Sequence, residues 1–393
     1  MMETQGQSKQ FFLKFLMINL LTGAAAGILQ LVVPLYALAL KATVAQLGLV
    51  TGIGSIGRIL IILPSGFLID SYGTRKLYMY STGLNIISIL LLTQAGSPYS
   101  LILIMVFQGM TQAVSFMSLQ ASLLKQLPAW NANQSSWQRG SVLLGFHLLG
   151  PVLGGCLIEN FRFFGTFLVI SVILGLCIGF SLSRKQGVIP NSGSDILNLP
   201  RGQLVQLKEM LFDGFLLKLM LVEGFISLSL ANFRTFVVPV AIEIFQLSVQ
   251  TTSLLILFQG AATTVIVLGG GKLLNLFRSG WIFGGGCFLI ISGTCLMAIT
   301  ESTGFFWAAA VLFGCGTGLL VLYNFTRMTM AQGQTGKIAA MLSLSVAIGS
   351  IIGPVLGGLI GDTLALQAVF WTPALVLGLG GIILVVVKIC KKY

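Results

Sequence analysis

Charged side chains are scarce in this chain. Asp, Glu, Lys and Arg make up 8% of its 393 residues, while hydrophobic residues make up 56%. A soluble domain carries about 25% charged residues, because it has to cover its core with a polar surface. The scarcity of charge therefore excludes a water-soluble protein, and it favours a chain that lies within a lipid bilayer.

The side chains that enzymes and metal proteins use most are also scarce. The chain has one histidine and six cysteines, and the cysteines lack the spacing of metal ligands. The sequence contains no Walker motif, nucleophile elbow or His-rich cluster. We therefore expect a protein that is not an enzyme or an ATP-driven pump and that has no metal site and no cofactor.

Long apolar segments account for most of the chain. A helix that crosses the ~30 Å hydrocarbon core takes ~20 residues, because backbone polar groups in lipid must bond within the helix. The pattern predicts an all-α membrane protein with 12 transmembrane helices, and it divides the chain into an N-terminal six-helix bundle (1–182), a polar cytoplasmic linker (183–214) and a C-terminal six-helix bundle (215–393). The predicted spans lie near residues 11–40, 47–69, 77–95, 99–122, 140–159, 163–182, 215–241, 248–271, 281–299, 305–326, 338–361 and 368–387.

The net charge of +12 follows the loops. If the N-terminus is cytoplasmic, 18 of the 22 Lys and Arg lie on that side, Lys41 and Arg162 lie outside, and Arg58 and Arg234 fall inside apolar segments. An excess of positive charge on one side is the usual mark of cytoplasmic loops. It predicts cytoplasmic N- and C-termini in an inner or plasma membrane, with no basic patch for nucleic acid.

The two predicted bundles resemble each other in sequence. LVVPLYAL around Pro34 resembles FVVPVAIE around Pro239, and GFLID from Gly66 resembles GKLLN from Gly271, both at an offset of 205 residues. GPVLGG occurs in the fifth predicted span and again in the eleventh, at an offset of 203. Three matches at nearly one offset indicate two six-helix repeats in parallel topology.

The segment after the second span, GFLIDSYGTRKL, resembles the loop signature of the major facilitator superfamily. The resemblance implies a transporter of the twelve-helix, two-bundle fold, with a gating latch centred on Asp70. Glycines allow a tight turn, and the neighbouring cations can make charge-assisted contacts. A turn whose cations only set the topology is the simpler alternative. The candidate latch residues are Gly66, Asp70, Gly73, Arg75 and Lys76.

The GPVLGG segments resemble the fifth-span signature of antiporters in the same superfamily. Small residues let another helix approach, and proline loosens the helix, so the resemblance implies a helix that controls closure of the cavity. The antiporter pattern also has a glycine four residues before Gly150, where this chain has Phe146 with Gly145 beside it. Close packing alone would also explain both copies, whose residues are Gly150, Pro151, Gly154, Gly155, Gly353, Pro354, Gly357 and Gly358.

Four ionisable side chains stand out in predicted spans because they lie away from the span ends: Arg58, His147, Glu223 and Arg234. Such groups cost several kcal/mol at the bilayer centre, so they usually face a cavity or a partner. Many proton-coupled members of the superfamily carry an arginine where this chain has Met105. Proton coupling would therefore fall to groups such as Glu223 or His147, although each could instead have a structural role.

Polar side chains recur at helical spacing in spans 1, 4 and 10. In superfamily members, spans 1, 4, 7 and 10 line the central cavity, so the resemblance implies a substrate site there. Hydrogen bonds between helices that only hold the bundle together are the alternative. The candidate cavity residues are Asn19, Gln30, Gln108, Gln112 and Asn324, accompanied by Thr22, Ser115, Thr317 and Tyr323.

These features predict secondary active transport by alternating access in the cell membrane. The expected activity is proton-coupled export of a small amphipathic organic molecule by a monomer. The two buried arginines leave open an importer or facilitator of an organic anion or a metal chelate. The expected partners are the small-molecule substrate, protons and the lipid bilayer.

Overall fold

The computed structural model describes residues 2–124, 141–182, 214–270, 273, 276–330 and 335–378. Within these ranges, the side chains of residues 2–11, 63, 66, 67, 70, 123, 124, 329, 330 and 335–340 are not described. The predicted linker over 183–214 therefore lies outside the described residues, apart from Gly214.

Helices make up the described chain, which contains no strand. Spans 1 to 4 are Met2–Ala39, Val44–Tyr72, Thr74–Leu92 and Pro98–Leu124; spans 5 and 6 lie within Ser141–Leu182; spans 7 to 11 are Gly214–Glu243, Val249–Leu268, Ser279–Ile299, Thr303–Met330 and Thr335–Thr363; and span 12 begins in Leu366–Gly378. The prediction of an all-α membrane protein with 12 transmembrane helices is confirmed.

Spans 5 and 6 form one long helical stretch, Ser141–Leu182. Its 42 residues would extend about 63 Å as a straight helix, roughly twice the thickness of the hydrocarbon core. Arg162 breaks it, because its φ of 55° and ψ of −169° are not helical. The stretch is therefore two spans that reverse direction at Arg162.

The chain divides into two compact units. The first consists of Met1–Lys41 with Ile53–Pro200, and the second of Ala42–Gly52 with Arg201–Tyr393. The domain boundaries expected from the sequence, 1–182 and 215–393, remain predictions.

The first unit packs around a small apolar core. Phe15 and Ile18 of span 1 meet Tyr78 of span 3, Leu119 of span 4 and Cys177 of span 6, and all five side chains are buried. Lipid replaces water outside such a bundle, so close packing and polar contacts hold the spans together more than the hydrophobic effect does.

In the second unit, two side-chain amides hold the beginning of span 12. Asn232 of span 7 donates to the carbonyl oxygen of Val369 at 2.9 Å. Gln367 donates to the carbonyl oxygens of Met297 and Thr300 at 2.7 and 2.6 Å, where span 9 ends. The two Gln367 bonds satisfy carbonyl groups that a helix end leaves without a partner.

The turn between spans 1 and 2 and the turn between spans 7 and 8 are alike in detail. Lys41 and Gln246 both have a positive φ, 59° and 53°, and lie 205 residues apart. At the same offset, Thr43 accepts a hydrogen bond from the backbone N–H of Gln46, and Ser248 accepts one from Thr251. Both hydroxyls cap the helix that follows. The repeat therefore extends to turn geometry that the sequence matches did not reveal.

Candidate functional site

Glu223 of span 7 and Asn324 of span 10 are in contact. The Asn324 amide Nδ2 donates a hydrogen bond to Glu223 Oε2. Further along the same two spans, the rings of Phe233 and Phe313 stack with centroids 4.8 Å apart. The sequence had marked Glu223 and Asn324 as separate candidates, and the fold brings them together.

Glu223 lies deep in its span. It follows Gly214, where the helix begins, by nine residues, which corresponds to about 14 Å along the axis. Its side chain is half-buried, and no cation lies within ion-pair distance among the residues described. Asn324 is buried, and its Oδ1 has no hydrogen-bond partner among the described residues. The Glu223 carboxylate is thus bonded to one neutral amide, and the oxygen of that amide, Asn324 Oδ1, is still available to accept a hydrogen bond.

The two membrane arginines lie in different units. Arg234 is half-buried in span 7, eleven residues after Glu223, and the ~16 Å rise between them prevents a direct ion pair. Arg58 is half-buried in span 2, and its guanidinium has no hydrogen-bond partner in the part of the chain that the structure describes. A charged group without a partner within a span is unfavourable unless water or a ligand reaches it.

Several polar side chains of the predicted cavity stripes instead bond other spans. Thr22 lies 3.3 Å from the Tyr78 hydroxyl, and Ser115 lies 2.8 Å from the Thr82 hydroxyl. Thr317 contacts Thr263 of span 8, with 2.9 Å between the hydroxyl oxygens (Oγ1). These contacts fit the alternative in which polar groups hold helices together.

The amides of the stripes differ in exposure. Asn19 is fully buried and donates to the carbonyl oxygen of Phe15 at 2.8 Å, one helical turn earlier. Gln108 is buried as well, whereas Gln30 and Gln112 are half-buried. Within the first unit, Gln30 and Gln112 are therefore the more exposed amides of the stripes.

Span 3 carries a polar face that the sequence reasoning missed. Six of its polar side chains are buried, at spacings of three and four residues, and they are Thr74, Tyr78, Ser81, Thr82, Asn85 and Ser88. That spacing places them along one side of the helix. The same periodicity that identified the stripes in spans 1, 4 and 10 could have identified this one.

Among the described residues, no group of three or more His, Cys, Asp or Glu is arranged to hold a metal ion.

A group of polar side chains joins spans 8 and 10 in the second unit. The Gln259 amide donates to Thr263 at 3.2 Å, and its own oxygen has no partner in the described chain. Spans 8 and 10 therefore meet at a polar layer that sequence reasoning had assigned only in part, through Thr317.

Comparison with known proteins decides the family. Residues 15–333 match the model of the Major Facilitator Superfamily. The chain belongs to the major facilitator superfamily. No sequence match was found among curated proteins.

Solved structures show the same fold as this superfamily member. The nucleoside transporter NupG is 14% identical with a TM-score of 0.73, and the alignment covers 98% of this chain and 99% of NupG. A bacterial homologue of the human lysosomal transporter Spinster, inward-facing and unoccupied, is 16% identical with a TM-score of 0.72, covering 90% and 82% of the two chains. At such identities the likeness concerns the fold alone.

The loop signature of the superfamily is described in part. Gly73 has a φ of 78° in the turn between spans 2 and 3, which favours glycine. Arg75 donates to the carbonyl oxygen of Leu182 at the end of span 6, and Lys76 is exposed. The side chain of Asp70 and the surroundings of Gly66 are not described, so the latch role of Asp70 remains a prediction.

Both GPVLGG segments pack against the first span of their repeat, span 1 or span 7. A Cβ atom built on Gly150 would lie 2.6 Å from the Cα of Gly27 in span 1, and one built on Gly353 would lie 2.3 Å from the carbonyl oxygen of Leu228 in span 7. Only glycine allows backbones to approach this closely. His147 lies just ahead of the first copy, in a π-helical turn over Gly145–Leu149, with its ring edge-on to Phe146.

Proposed function

We propose that this chain is a secondary active transporter that works by alternating access and exports a small amphipathic organic molecule in exchange for protons. The observation that carries the proposal is the contact between Glu223 and Asn324. A carboxylate within a membrane span, bonded to one neutral amide, can change charge state without breaking an ion pair. It is the described acidic group best suited to bind a proton during transport.

The Asn324 amide can serve Glu223 in both charge states. When Glu223 is ionised, its oxygen accepts the hydrogen bond from Nδ2. When it is protonated, the carboxyl becomes a donor, and an amide turned by 180° presents Oδ1 as the acceptor. The free Oδ1 of Asn324 thus matches the requirement of a protonated partner. His147 stays a second candidate for the proton-binding group.

Amides with few charges suit a moderately amphipathic solute. Gln30 and Gln112 offer hydrogen bonds without fixed charge, and a few polar groups in an otherwise apolar site are typical of sites for small organic molecules. The name of NupG, a nucleoside transporter, makes a nucleoside one reasonable probe. The glycine–proline packing of span 5, which resembles that of antiporters, favours export.

The test uses purified protein in proteoliposomes with an imposed pH gradient, and ethidium and uridine as probes. We expect the wild type to move at least one probe against its gradient when the pH gradient is present. Glu223→Gln keeps the hydrogen bond to the amide but cannot ionise, so we expect it to lose pH-driven accumulation and to retain counterflow exchange. Glu243→Gln is the control, because Glu243 is exposed at the end of the same span. Equal pH-driven transport by wild type and Glu223→Gln would refute this role of Glu223.

Uptake of an organic anion or metal chelate is the second candidate function. Arg58 favours it, because this half-buried guanidinium has no partner among the described residues and could hold a carboxylate. The test is uptake of citrate, free and as its ferric chelate, by the same proteoliposomes. Arg58→Gln is expected to abolish that uptake, and Lys218→Gln, at an exposed position, is expected to leave it unchanged. If the wild type takes up neither probe, the second candidate is wrong.

A further inference from the structure

The backbone of span 5 changes its hydrogen-bond register just before GPVLGG. The five residues Gly145–Leu149 form a π-helical turn, in which the N–H of Gly150 donates to the carbonyl oxygen of Gly145, five residues back instead of four. Such a turn holds one residue more than an α-helical turn. Relative to a straight helix, it rotates the residues on one side of it by about 100°.

Gly145 makes a close contact with span 1 because of this turn. A Cβ atom on Gly145 would lie 2.2 Å from the carbonyl oxygen of Leu20 and 2.8 Å from the backbone nitrogen of Ala24. These are backbone atoms, so no side-chain rotation could relieve the overlap. Gly145 and Gly150 therefore both face span 1, although they are five residues apart.

Span 11 shows the same packing without the extra residue. Gly349 lies four residues before Gly353 within the α-helix Thr335–Thr363. A Cβ atom on Gly349 would lie 2.3 Å from the carbonyl oxygen of Gly224 and 3.0 Å from the backbone nitrogen of Leu228. As at Gly145, the contacts are the oxygen of one residue and the nitrogen of the residue four positions later.

Gly145 thus occupies in the first repeat the packing position that Gly349 occupies in the second. The departure seen in the sequence, Phe146 where a glycine is expected, is an effect of one inserted residue. The π-helical turn accommodates the insertion and keeps the small residue on span 1.

An α-helical register would bring Phe146 to that contact. With Gly150 fixed, the residue four positions back is Phe146, and its Cβ would meet the backbone of span 1 where none fits. The α register is therefore compatible only with spans 1 and 5 moved apart at this level. Pro151 has no N–H, so the turn lacks one hydrogen bond in either register, which lowers the cost of changing between them.

We propose that Gly145–Leu149 is a hinge in span 5 that changes between π and α registers as spans 1 and 5 close and separate. Gly145 and Phe146 alternate at the contact with span 1, and His147 changes its direction with the turn. The inference goes beyond the proposed function, because it assigns a moving element of the first repeat and depends on no substrate.

Single-residue deletions in the full-length protein test the insertion. Deleting one residue from a straight helix rotates everything on one side of it by about 100°. Removal of Phe146 should instead leave a regular α-helix with Gly145 four residues before Gly150. We expect this deletion to leave the apparent melting temperature in detergent almost unchanged. Deletion of Val172, in the straight part of span 6, should lower it strongly. Equal losses for the two deletions would show that span 5 carries no extra residue.

Hydrogen exchange in nanodiscs tests the motion. In the wild type, we expect the backbone amides of 145–150 to exchange at least about tenfold faster than those of 349–353, because register changes open hydrogen bonds. In the Phe146 deletion, the two rates should become similar. Equal exchange of the two segments in the wild type would mean that the turn is static, and the hinge would be wrong.

A substitution covers the case in which the deletion variant does not fold. Phe146→Gly allows either register to place a glycine against span 1, so the two registers become closer in energy. We expect exchange of 145–150 to rise by about threefold or more over the control Leu148→Gly, which adds a glycine to the same turn. Exchange no faster than in the control would contradict the hinge.

Discussion

Gly353 offers a direct measurement of how tightly spans 7 and 11 are packed. A Cβ atom at this position would lie 2.3 Å from the carbonyl oxygen of Leu228, 3.0 Å from its carbonyl carbon and 3.2 Å from its Cα. A carbon and an oxygen in ordinary contact are roughly 3.3 Å apart, so Gly353→Ala must push the two backbones apart by about 1 Å. Overpacking of this kind costs about 1–3 kcal/mol.

The assay is the apparent melting temperature in detergent at a single scan rate, because membrane proteins usually unfold irreversibly. At about 2–4 °C per kcal/mol, Gly353→Ala should melt about 2–12 °C below the wild type. Gly284→Ala is the matched control, because a Cβ atom there has no neighbour within 4 Å. Alanine also favours helix over glycine by up to about 1 kcal/mol, so the control should not be destabilised. A melting temperature of Gly353→Ala at or above that of the control would refute the reasoning.

Three further predictions concern hydrogen bonds. A double-mutant cycle with Thr82→Val and Ser115→Ala should give a coupling of about 0.6 kcal/mol by unfolding in SDS, the average for hydrogen bonds between membrane helices, and no coupling would mean that this 2.8 Å contact is not stabilising. Gln367→Ala leaves two carbonyl groups at the end of span 9 without their donor, so hydrogen exchange of residues 297–303 should become faster, and unchanged exchange would count against it. Ser248→Ala removes a helix cap and should cost about 1 kcal/mol in melting experiments, whereas Ser248→Asp should cost little; equal effects would contradict the cap.

The sequence predicted the fold because a bilayer imposes a simple rule on it. Each span must be apolar and about 20 residues long, so the number of helices can be read from hydrophobic segments alone. The 42-residue stretch Ser141–Leu182 is an instructive case. Its two spans were separated correctly from the sequence near Arg162, where the structure shows the non-helical residue.

The candidate site was predicted less completely. Helical spacing and the cost of charge in lipid identified Glu223 and Asn324 individually. The two residues are 101 positions apart in the sequence. Their contact depends on the depth and the rotation of spans 7 and 10 relative to each other, and no pattern within a single helix encodes that arrangement. The same limit applies to Thr22 and Ser115. They were expected to line a cavity, and the structure shows them beside hydroxyl groups of span 3.

By itself, the sequence determined that this protein is an all-α membrane protein of twelve spans in two related halves, and that it resembles the family to which it belongs. Hydropathy, charge distribution and internal repeats are properties of residue order, so tertiary contacts are not needed to recognise them. Tertiary structure decided which polar groups meet and which register the backbone adopts. Gly145 is the example. In the sequence it lies five residues before Gly150 instead of four, and a π-helical turn places it against span 1. No Cβ atom fits at that contact, so the position requires glycine.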